Sequence, residues 1–297
     1  MRIFTISVCV VTLAHAWRAL ASPAPQAEVA SSGVRGIDQA TYDNLERYTK
    51  FSSAAYQLLG CPRPVGTTLV KYIDTKGTQG FVARDDSRKE IIVSFRGSLS
   101  PTDWVVNLQV LMTPLRTLGI TAADAGDSYV HTGFHYAYNV VASEVIASVR
   151  SQLAAKPGYT VTVTGHSLGG AVGAIAALSI KSTFPGVPLK LYTFGAPRVG
   201  NAAFAQFAES RIGATNVFRA VHTNDGVPTI LLKITGYRHF GTEYWTFKNP
   251  ASPINTRKCN GAEDPTCSDS IPSSFINPSH LTYFKQVMAL NPLLCLF

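Results

Sequence analysis

Thr160-Val161-Thr162-Val163-Thr164-Gly165-His166-Ser167-Leu168-Gly169-Gly170-Ala171-Val172-Gly173-Ala174-Ile175-Ala176-Ala177-Leu178 is the stretch on which the reading of this chain turns. Alternating threonine and valine at its start read as a strand. The small and aliphatic residues at its end open a helix expected over residues 168–183. Between them stands Gly165-His166-Ser167-Leu168-Gly169, a G-x-S-x-G pattern. Alone, that pattern arises by chance in about one chain in ten of this length, given glycine's usual abundance. Its position between strand and helix is what gives it meaning. A nucleophile elbow needs that strand–turn–helix context, because the sharp turn lifts the serine hydroxyl to the edge of a sheet. Glycines on both sides relieve the crowding such a turn creates. The following helix aims free N–H groups at any developing oxyanion.

Elements alternate on both sides of this stretch. Upstream, Tyr42, Leu45, Tyr48 and Phe51 recur at helical spacing up to about Gly60. Residues 80–84 and 90–95 read as two strands joined by the turn Asp85-Asp86-Ser87-Arg88. One helical pattern fills residues 133–155. Downstream, strands are expected at 190–194 and 216–221, with helices at 201–211 and 280–290. Strands alternating with helices imply an α/β fold with a mostly parallel sheet covered on both faces. The loops are short, and nothing marks a second domain. No internal repeat is visible.

A serine nucleophile needs a base, and the base needs an orienting carboxylate. In α/β enzymes of this kind the chain order is serine, acid, histidine. The histidines after Ser167 are His222, His239 and His280. Asp225 lies in the loop after the strand at 216–221, at the sheet edge where active-site groups gather. Glu263 and Asp264 fall in a short loop between cysteines and read as solvent-facing. His280 heads the last helix. Spacing alone leaves His239 open as the base.

The bulk properties set the class. With 46% apolar and 15% charged residues over 297 positions, the chain carries enough material for a buried core, which argues against disorder. Arg2 and the apolar run from Ile3 to Ala14 read as a secretory signal, with cleavage expected after Ala21 or after Ala16. The run is too short for a membrane span. Residues 22–38 read as a flexible leader or propeptide and residues 39–297 as one domain. The net charge of +8 falls to +6 once Arg2 and Arg18 leave. The basic residues are scattered, which excludes a nucleic-acid module. Cys61, Cys259, Cys267 and Cys295 remain outside the signal, enough for two disulfides in an exported protein. Cys259 and Cys267 lie close in sequence, and pairing them leaves Cys61 with Cys295. A metal site has no CxxC or paired-histidine spacing to support it.

Several ordered blocks carry a family resemblance. They are Ile92-Val93-Ser94-Phe95-Arg96-Gly97-Ser98, His131-Thr132-Gly133-Phe134, Gly165 to Gly170, Tyr192-Thr193-Phe194-Gly195-Ala196-Pro197-Arg198-Val199-Gly200-Asn201, His222-Thr223-Asn224-Asp225 and His280-Leu281-Thr282-Tyr283-Phe284. On these blocks the chain resembles the fungal class 3 triacylglycerol lipases, filamentous-fungus enzymes related to type A feruloyl esterases. The resemblance implies an α/β-hydrolase fold with a short helical lid. It implies Ser167 as nucleophile, Asp225 as orienting acid and His280 as base. Ser98 and the backbone N–H of Leu168 would form the oxyanion hole. The lid would lie just beyond Ser98, where Trp104, Val105 and Leu108 recur near helical spacing. His131 and His166 read as structural. The expected function is a secreted, monomeric lipase acting on glyceride esters at a lipid–water interface, through an acyl-enzyme and without metal or organic cofactor. A soluble-ester esterase of feruloyl type and an inactive lipid-binding relative are the alternatives.

Overall fold

The computed structural model describes residues 36–57, 60–100, 110–272 and 275–296. The expected lid residues Trp104, Val105 and Leu108 lie outside the described residues. So do the expected signal and most of the leader. Helix α1 (Gln39–Ala54) begins at Asp38, whose carboxylate accepts the Thr41 N–H at 2.8 Å. This satisfies one of the donors that every helix start leaves unpaired.

Among the described residues eight strands form one sheet, and they lie side by side in their order along the chain. They are β1 (Thr68–Thr75), β2 (Thr78–Asp85), β3 (Glu90–Phe95), β4 (Thr160–His166), β5 (Leu189–Phe194), β6 (Val217–His222), β7 (Thr242–Thr246) and β8 (Thr256–Lys258). The strands from β3 to β7 are mutually parallel, while at the two ends β1 pairs antiparallel with β2, β2 with β3, and β8 with β7. The hairpin between β2 and β3 closes through Asp85, whose Oδ1 accepts the Ser87 N–H at 2.9 Å and the Arg88 N–H at 3.2 Å. A small sheet of four short strands, at 112–114, 129–131, 200–201 and 237–238, accompanies the main one.

Side chains along the central strands alternate between two cores. Ile91, Val93 and Phe95 join one cluster, packed with α2 (Thr132–Asn139), α3 (Ala142–Ala155), α4 (Leu168–Thr183) and α5 (Ala202–Ile212). Ile92, Tyr192, Phe194 and Ala220 join the other, beneath α1 and the C-terminal segment. On that face Tyr48, Tyr192, Phe218 and Tyr244 stack in succession, with centroid separations of 4.1, 4.4 and 5.4 Å. Two disulfides staple the outside of this frame: Cys61 to Cys295 and Cys259 to Cys267.

Three expectations need correction. The helix read over 133–155 is two helices, broken at Val140 and Val141, where Val141 has φ −116° and ψ −4°. Phe134, Tyr138, Val141 and Val145 all reach the same core, so their spacing mimics one continuous helix. The final helix read over 280–290 does not form. A 3-10 turn at Pro278–Leu281 is followed by a tight hairpin pairing Tyr283 with Gln286, and Phe284 and Lys285 take φ of 45° and 66°. Burial overrides local propensity there, because Tyr283 and Phe284 are both drawn into the core. Glu263 and Asp264 are not free in solvent: Asp264 is buried and Glu263 only partly exposed. Asp264 accepts the Asn260 and Thr266 N–H groups at 2.8 Å, closing its own loop. Glu263 clamps the buried Arg198 guanidinium at 2.9 and 2.8 Å. Strands β1, β7 and β8 had no reading from sequence.

Arg219 on β6 and Glu243 on β7 form a nearly fully buried ion pair at 2.7 Å, and Glu243 also accepts the Ser268 N–H at 3.0 Å. Removing one partner strands the other charge in a low-dielectric interior. Arg219→Met is therefore expected to lower unfolding stability by about 3–5 kcal/mol in urea titrations, and Arg219→Met with Glu243→Leu to recover most of that loss.

Candidate active site

The sheet register brings the site residues to one edge. Phe95 pairs with Gly165, His166 with Phe194, and Phe194 with Ala220, so β3, β4, β5 and β6 end nearly level. The loops leaving those four ends carry Ser98, Ser167, Gly195 and Asp225. This carboxyl edge of a parallel sheet is where α/β enzymes assemble their chemistry.

Ser167 occupies the turn between β4 and α4 with φ 57° and ψ −129°. Its side chain meets His280, whose Nε2 lies 2.9 Å from Ser167 Oγ. On the other side of the ring, His280 Nδ1 lies 2.9 Å from Asp225 Oδ2. The carboxylate can only accept at Nδ1, so the ring carries its proton there and leaves Nε2 to accept from the serine. All three groups are buried, Ser167 and His280 completely. Sequence reasoning placed these residues together, and the structure joins them in one hydrogen-bonded line. His239, the histidine left open by spacing, is elsewhere. Its Nε2 donates to Pro228 O at 2.8 Å, and burial holds its ring well below the usual imidazole range.

The carboxylate is held from three directions. Val227 N–H donates to Asp225 Oδ1 at 2.9 Å, and the Tyr283 hydroxyl donates to Oδ2 beside His280. Burial, reinforced by the Asp225 charge, keeps the Tyr283 phenol far above its ordinary value, so it remains a donor. The acid loop and the base loop are also sewn together. Asn277 Nδ2 donates to Asn224 O at 2.7 Å, and Ser279 Oγ to Asn224 Oδ1 at 2.8 Å. Thr223 Oγ1 donates to Ser279 Oγ at 2.7 Å, and His222 Nδ1 donates to Ser279 O at 2.9 Å. Sequence reasoning missed Tyr283 and this stitching. Polar residues clustered at 222–225 and 277–279 were the available signal.

Ser98 and Leu168 line the same hollow, of about 200 Å³, beside the end of β3. The Ser98 hydroxyl donates to Ser100 O at 3.1 Å. Leu168 opens α4, so its N–H belongs to the first turn, which has no intrahelical acceptors. His131 caps α2 by accepting the Gly133 and Phe134 N–H groups at 3.1 and 3.3 Å.

Comparison with known proteins agrees with this geometry. The family model for lipase (class 3) matches residues 92–234. A secreted alkaline triacylglycerol lipase of Penicillium cyclopium is 32% identical over 255 residues, covering 84% of this chain and 86% of that protein. The chain belongs to the class 3 lipase family. A secreted mono- and diacylglycerol lipase of Fusarium solani is 36% identical over 221 residues, 73% of this chain, and the match spans 63% of that relative's length. The crystal structure of a triacylglycerol lipase from Penicillium expansum superposes with a TM-score of 0.78 at 32% identity, covering 85% of this chain and 96% of that one. The fold is the α/β-hydrolase fold of these lipases.

One glycine of this class 3 lipase is required by the site itself. Gly195, directly after β5, has φ +58°, and a Cβ there would lie 2.6 Å from Asp225 Oδ2, 2.8 Å from the Tyr283 hydroxyl and 3.0 Å from His280 Nδ1. Any side chain would push the carboxylate off the imidazole. Gly195→Ala is expected to reduce kcat on a soluble ester by roughly 10²-fold, as misplacements of about an ångström do, with KM little changed. Steady-state kinetics on folded protein check this, and an unimpaired kcat would contradict it.

Proposed function

We propose that this chain is a secreted lipase that hydrolyses glyceride esters through an acyl-enzyme on Ser167. The observation that carries the reading is the hydrogen-bonded line from Ser167 Oγ through His280 to Asp225. His280 takes the serine proton as Oγ attacks the ester carbonyl. The oxyanion is received by the N–H of Leu168 and by Ser98, whose hydroxyl would leave Ser100 O to donate to it. His280 then protonates the leaving alcohol, and water hydrolyses the acyl-enzyme by the same proton route in reverse. Asp225 fixes the ring and stabilises the imidazolium while it lasts.

Membership in the class 3 lipases and the names of the relatives, secreted triacylglycerol and mono- and diacylglycerol lipases, support glycerides as substrate and export as destination. In the same reading, residues 1–21 are the signal and a leader follows, while a single catalytic domain acts as a monomer. That domain takes in residues 36–38 as well, since Gly36 bridges Arg257, Ile37 N–H donates to Pro253 O at 3.0 Å and Asp38 caps α1. Burial of the nucleophile supports a covering element that must move before substrate enters. The segment bearing Trp104, Val105 and Leu108 is our candidate for that lid. Leu99, Val110 and Leu111, on either side of it, are all more than half exposed, an apolar surface suited to lipid.

Two measurements test the proposal. Ser167→Ala is expected to lose essentially all turnover, and Asp225→Asn about 10⁴-fold in kcat, while both variants stay folded. Turnover of a short-chain triglyceride is expected to rise abruptly as substrate passes its solubility limit, and Trp104→Ser to blunt that rise more than it slows hydrolysis of a small soluble ester. Smooth saturation through the limit, with equal losses on both substrates, would favour a soluble-ester esterase.

A further inference from the structure

We infer that Tyr56 and His166 form a positioning pair that registers the base His280 against the strand end carrying Ser98. The inference rests on the Ser167–His280–Asp225 reading and extends it to two buried groups that the mechanism does not use. His166 directly precedes the nucleophile and is completely buried. Its Nε2 lies 2.8 Å from the backbone carbonyl of His280, and its Nδ1 lies 2.7 Å from the Tyr56 hydroxyl. A carbonyl only accepts, so Nε2 carries the proton and Nδ1 accepts from Tyr56. The tautomer is thereby fixed from both sides. Burial keeps the imidazole well below its usual range and the Tyr56 phenol above its own, so both stay neutral while His280 cycles through its charged form.

The pair touches three parts of the site at once. Tyr56 packs so tightly on Gly97, the residue before Ser98, that a Cβ there would lie 2.2 Å from its hydroxyl. The same Cβ would lie 2.8 Å from His166 O and 3.2 Å from Ser167 Cβ. His280 itself stands in a single 3-10 turn, a weak local element, with its ring centroid 4.5 Å from that of His166. Its carbonyl bond to His166 ties that turn to the nucleophile strand. Losing the Tyr56 hydroxyl leaves His166 Nδ1 buried without a donor and the ring held only by the His280 carbonyl, so the ring can turn and the base then drifts relative to both Ser167 and Ser98.

The test compares Tyr56→Phe with Tyr48→Phe, using p-nitrophenyl butyrate below its solubility limit. Tyr48 is a control from α1 whose buried hydroxyl donates to Glu90 at the other end of β3. Tyr56→Phe is expected to lower kcat about tenfold with KM unchanged, since misplacing a base costs rate rather than binding. It is also expected to shift the downfield proton resonance of His280 Nδ1. Tyr48→Phe is expected to alter neither, although it loses a comparable buried hydrogen bond. A Tyr56→Phe enzyme with unchanged kcat and resonance would overturn the inference, as would equal losses in the two variants. Should Tyr56→Phe not fold, His166→Gln, whose amide can still donate to the His280 carbonyl, is expected to retain more kcat than His166→Ala, and equal loss would count against the pair. An inactive Ser167→Ala beside a fully active Tyr56→Phe would remove the positioning pair alone, whereas an active Ser167→Ala would remove the triad reading beneath it.

Discussion

The backbone of Ser167 is forced into a positive-φ conformation that a residue with a Cβ rarely adopts, at a cost on the order of 1–3 kcal/mol. Such strain persists only where its surroundings over-determine it, and here they do. Ser167 N–H donates to Phe194 O at 2.9 Å, locking the turn to the neighbouring strand, while its carbonyl accepts the Gly170 N–H at 2.9 Å as α4 begins. The helix can start so close to the sheet because a Cβ on Gly169 would fall 2.2 Å from Phe95 O. The strained turn therefore follows from sheet register and helix packing together, and it delivers the hydroxyl to within 2.9 Å of His280 Nε2.

Around that rigid turn the remaining groups ride on weak elements. Asp225 sits in a loop, and His280 in a 3-10 turn that leads into a two-residue hairpin. Neither element would hold its side chain to catalytic tolerance alone. Their mutual hydrogen bonds, and the buried Tyr283 hydroxyl on the carboxylate, replace the missing regularity. Desolvation serves the same end, because it keeps Tyr283 and His166 in single protonation states while the proposed reaction changes charge at His280. The Arg219–Glu243 ion pair joins β6 to β7, and the disulfide loop is fastened to them by Arg219 donating to Ala262 O and by Glu263 pairing with Arg198 in the segment after β5.

What could be read in the sequence was what depends on local pattern. The strand, elbow and helix around Ser167 declare themselves through alternating β-branched residues, glycines and small helix formers. Asp225 was legible because it follows a strand at the sheet edge, and His280 because the ordered motif blocks carried it. The C-terminal fold was not legible. Leu281, Tyr283, Phe284 and Met288 have a spacing compatible with a helix, and only the tertiary demand to bury Tyr283 and Phe284 makes the chain turn back. The solvent-facing reading of Glu263 failed for a related reason, since its partner Arg198 lies 65 residues away and no local pattern announces it. Tyr56 and Tyr283 were invisible as site residues, because a buried tyrosine near a triad looks like any core aromatic until its hydroxyl is seen to meet a partner.

The central claim is that one hydroxyl, on Ser167, becomes the covalent nucleophile because His280 and Asp225 activate it. The most direct measurement is intact and peptide mass spectrometry after exposure to an alkyl fluorophosphonate, which records the acylation-like step at its target atom. The account predicts a single stoichiometric adduct on the peptide bearing Ser167, formed in step with loss of activity and absent from His280→Ala. Inactivation with the adduct on another residue, or undiminished labelling of Ser167 without His280, would contradict it.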